Sequence, residues 1–166
     1  MNDPLPQSIV KSADWVLREE RGPGVPEAFY SDAFTGTPEV IARWRREVKV
    51  VLARWGAAGE TECVVSLGVS ELLANVVRHS TTRRCWLRVL RVGPDVVVQV
   101  FDESKHLPVV HTPDDLAEDG RGLWLLREMA DAFGFMPKQY TSDTGPALGK
   151  IVWFACWDAF PEKAGR

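Results

Sequence analysis

The run Ser70-Glu71-Leu72-Leu73-Ala74-Asn75-Val76-Val77-Arg78-His79 carries two patterns at once. Leu72, Leu73 and Val76, continued upstream by Val65 and Val69, fall on one stripe of a helix predicted over 61–78. Glu71, Asn75 and His79 are four apart, and at about 100° per residue they span about 80° of the helix surface. They form a second, polar stripe with Arg78 beside it. The same spacing also describes the solvated face of an ordinary amphipathic helix, so its meaning depends on what the rest of the chain places around it.

Upstream, Thr37-Pro38 is a strong helix start, a hydroxyl N-cap followed by proline at the first helical position, and Gly56 is the stop. Ile41, Trp44, Val48, Leu52 and Trp55 recur between them at three- and four-residue spacing, leaving Arg43, Arg46 and Lys49 outward. This helix is expected to pack beside the second. Residues 1–26 lack periodicity and hold Pro4, Pro6, Gly22, Pro23, Gly24 and Pro26, so they read as an extension with a local docking point at 15–17.

Downstream, the pattern turns to β-branched and bulky apolar residues at 85–92 and 96–101, separated by Gly93-Pro94-Asp95, which predicts a hairpin. Residues 103–119 have no periodicity and hold Pro108, Pro113 and the acids Asp114, Asp115, Glu118 and Asp119, the pattern of a long loop of the kind that serves as a lid. A third helix is predicted from Gly122, with Leu123, Leu126 and Met129 apolar, ending near Gly134. Strands at 133–139 and 150–157 then close the chain around a Gly145/Gly149 turn. These elements describe an α+β two-layer sandwich, a mainly antiparallel, mixed sheet covered on one face by three helices. The expected division is an extension at 1–27, one domain at 28–158 and a tail at 159–166.

Composition narrows the function. With 45% hydrophobic and 26% charged residues the chain reads as a soluble globular protein, and no apolar run approaches the ~20 residues needed to cross a bilayer. No secretory signal is visible in the first ten residues, so a cytoplasmic location is expected. Net charge of -3 argues against binding nucleic acid through its phosphates. Cys63, Cys85 and Cys156 have neither CxxC spacing nor a histidine at ligand spacing, and are expected to be reduced thiols in mostly apolar surroundings. Trp44, Trp55 and Trp86 fit packing roles, whereas His106, His111 and the acidic run 114–119 are expected to face water.

Three segments carry chemistry. On the polar stripe, a carboxamide oxygen at Asn75 could ligate Mg²⁺, which takes few protein ligands and completes its shell with water and phosphate. A carboxylate one turn earlier, Glu71, could accept a proton from a hydroxyl or water attacking a γ-phosphate. At the end of Val98-Gln99-Val100-Phe101-Asp102, the aspartate could accept an exocyclic amine of adenine, or could simply satisfy its own turn. Gly120-Arg121-Gly122-Leu123 opens a helix after the acidic loop, an arrangement suited to an anion but also common at loop exits.

The order of these segments resembles the GHKL ATPase superfamily of gyrase, heat-shock chaperone, histidine kinase and mismatch-repair protein. Over residues 30–158 the chain looks most like the single-domain anti-sigma-factor serine/threonine kinases. The resemblance implies a histidine-kinase-like ATPase fold, with ATP and Mg²⁺ as ligands. Asn75 would hold the metal, Glu71 would act as base and Asp102 would bind adenine. Gly120, Arg121, Gly122 and Leu123 would wrap the phosphates, with Arg78 or His79 touching them. It also implies a homodimer whose protein partners are a sigma factor or similar regulator and a small antagonist that it phosphorylates.

Two departures stand out. Asp102 is followed by Glu103-Ser104-Lys105-His106 instead of the family's glycines, and Ile151 falls where a threonine that assists the aspartate is expected. Both point to weaker adenine binding. A catalytically inactive nucleotide-sensing interaction module is therefore the competing expectation. An ATP hydrolase that drives a conformational change is a third, disfavoured because the chain has no further domain to move.

Overall fold

The computed structural model describes residues 28–108 and 121–161. Along them run β1 (Ala28–Thr35), α1 (Pro38–Trp55), α2 (Gly59–His79), β2 (Arg84–Val92), β3 (Asp95–Asp102), α3 (Arg121–Met129), β4 (Ala132–Ser142) and β5 (Gly145–Cys156). The strands form one sheet in the order β1-β2-β3-β5-β4, and every pairing among them is antiparallel, so no mixed pairing occurs among the described residues.

Local chemistry sets the helix ends. Thr37 Oγ1 accepts the Val40 N–H at 3.2 Å, Pro38 follows, and Gly56 closes α1 in the left-handed region at φ 81°. Trp44, Val48 and Leu52 point from this helix into the core. The stripe of α2 does the same: Val65, Val69, Leu72, Leu73 and Val76 are all buried, against Leu87, Val89, Val96, Val98, Val100, Val152 and Phe154 of the sheet. Where α2 crosses β5, Gly68 is a packing requirement. A Cβ there would fall inside the fully buried Phe154 ring and 2.8 Å from Leu126 Cδ1.

The opposite face of the sheet is apolar too. Leu90, Val97, Phe101, Ile151, Trp153 and Ala155 form a second buried cluster there, with Trp86 stacked on Phe101 at 5.5 Å between ring centroids. Burial on both faces explains why β3 reads as a continuous apolar run without alternation. No helix of the described residues is long and apolar enough to cross a membrane.

Several expectations need correction. The first strand, β1, lies in a stretch to which no element is assigned from sequence. It is an edge strand that places Tyr30 and Phe34 against Trp44 while Ser31, Ala33 and Thr35 face out, too few apolar positions to register as a pattern. Helix α3 stops at Met129 and not near Gly134, which belongs to β4, and Met129 is exposed. The β4–β5 turn falls at Asp143-Thr144, so Gly149 sits inside β5. Cys63 is exposed, unlike the other two cysteines. The docking point at 15–17, His111 and the acids at 114–119 lie outside the described residues.

Two measurements check the packing. Gly68→Ala is expected to cost ~1–3 kcal/mol in chemical denaturation, because an overpacked buried ring has nowhere to go. Burial, and secondarily the charges of Asp102 and Asp131, push the thiols of Cys85 and Cys156 up to about 12. A thiol reagent should therefore titrate Cys63 alone in the native protein and all three cysteines after unfolding. Since these two thiols ionise first in the unfolded chain, stability should fall as pH rises from about 9 toward 12.

Candidate functional site

Helix α2 is pinned to the sheet by its apolar stripe, which leaves Glu71 and Asn75 half-buried on another face and Arg78 and His79 exposed near its C-terminal end. Across from Glu71 stands the first turn of α3. A Cβ on Gly122 would coincide with the Glu71 carboxylate, reaching Oε2 and Cδ and lying 2.8 Å from Oε1. The fold therefore sets Glu71 against Gly122. The first turn of α3 carries no acid of its own, and Glu71 supplies the negative charge that a helix N-terminus favours. Leu123 points elsewhere: it is buried in the core beside Leu126, where it fastens α3 to α2. Arg121 is exposed, and Gly120 lies outside the described residues.

At the other end, Asp102 terminates β3 and is buried at 4% exposure. Its carboxylate is engaged on both oxygens. Lys150 Nζ, itself buried, lies 3.1 Å from Oδ1 and 3.0 Å from Oδ2, and the Ser104 N–H donates to Oδ1 at 2.7 Å. The turn-satisfying role and a charge pair thus coexist on one residue. The β3–β5 register places Lys150 directly opposite Asp102 and Ile151 opposite Phe101 on the far face, which corrects the expectation that Ile151 is the neighbour of the aspartate. Sequence reasoning missed Lys150, and the signal was available: a lysine alternating with Val152 and Phe154 must share their inward face.

Beyond the C-terminal end of α2 the structure opens a cleft of about 250 Å³, walled by His79, Ser80, Thr81 and Thr82 after α2, by Glu103 to His106 after β3, and by Tyr140 and Leu148 of the last hairpin, and not lined by Glu71, Asn75, Asp102, Gly122 or Lys150. Glu103 is held by Arg84 Nε at 3.1 Å and by the Thr82 hydroxyl at 2.8 Å. His79 and His106 both border the cleft, and His106 is exposed as expected. Arg78 folds back on its own helix, with Nε donating to the Ala74 carbonyl at 3.4 Å.

A helix bearing Glu-x-x-x-Asn, a strand ending in a buried aspartate and a glycine turn packed on the glutamate, all built on an antiparallel sheet, define a nucleotide-binding ATPase-type fold. The family described as the histidine kinase-like ATPase domain matches residues 34–155, and the chain belongs to it. No curated protein matches the chain. Among solved structures, the RsbU and RsbW domains of Rv1364c from Mycobacterium tuberculosis resemble it with a TM-score of 0.58 at 15% identity. The match covers 80% of this chain and 32% of that one, so this chain spans about a third of that protein's length, and the likeness is one of fold.

The Glu71–Gly122 contact can be tested by a double-mutant cycle. The carboxylate is the end of a flexible side chain, so Gly122→Ala should move Glu71 aside and leave α3 in place. In a Glu71→Ala background the same replacement should raise stability by ~0.5–1 kcal/mol, the ordinary helix gain of alanine over glycine. In the wild-type background that gain should be absent, and thermal denaturation of the four proteins measures the coupling.

Proposed function

We propose that this chain is an ATP-binding regulatory protein of the anti-sigma-factor type, a serine/threonine kinase that phosphorylates a small protein antagonist and holds a sigma factor or similar regulator. The observation that carries this reading is the Glu71 carboxylate set against Gly122, with Asn75 one turn further along the same helix. In this reading Glu71 is the base, Asn75 the amide oxygen and Gly122 the helix start of one locality. The half-buried carboxamide of Asn75 suits a hard cation that needs few protein ligands, so Asn75 would hold Mg²⁺, which would neutralise triphosphate charge. Arg78, His79 and Arg121, all exposed near α2 and α3, can supply further positive charge or donors to phosphate.

In this reading a partner's serine or threonine hydroxyl gives its proton to Glu71 as its oxygen attacks the γ-phosphorus. The bond from that phosphorus to the β,γ-bridging oxygen breaks, and ADP leaves. The chain's contribution is to orient the hydroxyl and to keep Glu71 within reach. The second reading, a nucleotide-sensing interaction module without turnover, is favoured by one observation: the carboxylate at the base end is already paired with Lys150.

The two readings separate in a single experiment. Partners captured from a native lysate with and without Mg-ATP are analysed for phosphoserine and phosphothreonine. If the kinase reading holds, Glu71→Ala keeps nucleotide affinity nearly unchanged and lowers transfer by ~100- to 10,000-fold, the range for a positioned base. Asn75→Ala should remove the Mg²⁺ dependence of ATP binding, read by calorimetry in Mg²⁺ and in chelator, without lowering the melting temperature of the nucleotide-free protein. ATP-responsive capture with no phosphate on any partner of the wild type would establish the module instead.

A further inference from the structure

The Asp102–Lys150 pair is nearly sealed from water, with side chains 5% and 8% exposed. Its geometry fixes what Asp102 has left to offer. An ionised carboxylate is an acceptor only, with about four lone-pair sites over its two oxygens. The Lys150 ammonium bridges both oxygens, and the Ser104 N–H takes a second site on Oδ1, so three of these are filled within the chain. The same ammonium donates to the Ser104 carbonyl at 3.4 Å, which ties it to the turn that walls the cleft. Nor can the backbone retreat easily. Gly149 brings β5 so close to β3 that a Cβ there would strike the Asp102 carbonyl oxygen and lie 2.8 Å from Phe101 Cε2.

One lone-pair site, on Oδ2, is left, but on a side chain only 5% exposed, so an exocyclic amine that sought Asp102 would have to shift the ammonium to reach it. A neutral amine would bond the same ionised carboxylate without the full opposite charge that the ammonium brings, so its hold on Asp102 is the weaker of the two. Displacing Lys150 would also leave a buried cation without its partner, the arrangement that interiors tolerate least. The competition is therefore settled in favour of the lysine.

We infer that Lys150 is a built-in occupant of the carboxylate at the base end, so that the nucleotide is held through its phosphates and not through the amino edge of its base. The inference rests on the nucleotide-binding reading above and specifies its substrate class: nucleoside triphosphates without selection for the 6-amino group of a purine. Lys150 is thus a specificity-determining residue, acting by denying adenine the contact that would distinguish it.

The test uses the full chain with Mg²⁺ and three ligands, ATP, GTP and purine riboside triphosphate, the last being ATP without its amino group. Calorimetry on the wild type should give ATP and purine riboside triphosphate affinities within about threefold of each other, and GTP in the same range, because no contact to the amine exists to be lost. Lys150→Gln keeps a neutral donor that a base amine can replace, and Lys150→Thr removes the cation. Either should bind ATP ~10-fold or more tightly than purine riboside triphosphate, the discrimination that one hydrogen bond to a charged group supplies. A wild type that already prefers ATP over purine riboside triphosphate by ~10-fold overturns the inference, and needs no variant to fold. Folded Lys150 variants that still do not discriminate overturn it as well. Failure of wild type and variants to bind any triphosphate would instead remove the nucleotide reading itself, and the inference with it.

Discussion

Where α2 crosses β5 there is room for a hydrogen atom and not for a methyl group, and the same is true where α3 begins over Glu71. The first of these holds the helix layer at one height above the sheet, whereas at the second the flexible Glu71 side chain can give way. Gly68 lets the Phe154 ring rise into α2, and Leu123 and Leu126 then lock α3 against the same helix. The energies rank the contributions. Burying each of those leucines is worth about 1.5–3 kcal/mol, whereas an acid at a helix N-terminus contributes about 0.3–1 kcal/mol. Apolar packing thus places α3, and Glu71 tunes a position that has already been decided.

At the far end of the sheet the ordering force is different. Two opposite charges buried between β3 and β5 gain little net stability over a well-packed apolar pair, because removing both from water costs nearly what their attraction returns. What they do supply is discrimination among alignments. A slip of one residue between β3 and β5 would turn Lys150 to the far face among Ile151 and Trp153 and strand Asp102 without a cation. The pair and the glycine beside it therefore fix the alignment of β3 on β5 at the Asp102 end.

Much of this was legible in the sequence. Thr37-Pro38, the stripe of α2 and the 85–101 hairpin specify their elements by local chemistry, and the structure follows them within a residue or two. The contact of Glu71 with Gly122 was not legible, since the two lie some fifty residues apart and only the order of motifs placed their segments in one family pattern. The missing information was cross-strand. The first strand has few apolar positions because it is an edge, and its partner β2 is separated from it by two helices. The importance of Lys150 comes from a neighbour 48 residues away, which no local pattern encodes. Met129 shows the converse limit: helical spacing placed it on an apolar stripe that the end of α3 leaves in solvent.

The strand order has a dynamic corollary. Asp102 and Lys150 ride on β3 and β5, which are flanked on both sides by other strands and buried on both faces, so their amides should exchange with solvent only in the largest opening events of the domain. Glu71 faces a nine-residue helix with two buried side chains, a unit that can come away at much lower free energy. One end of the site is therefore as durable as the fold itself, while the other can open and reclose many times within the lifetime of the native state.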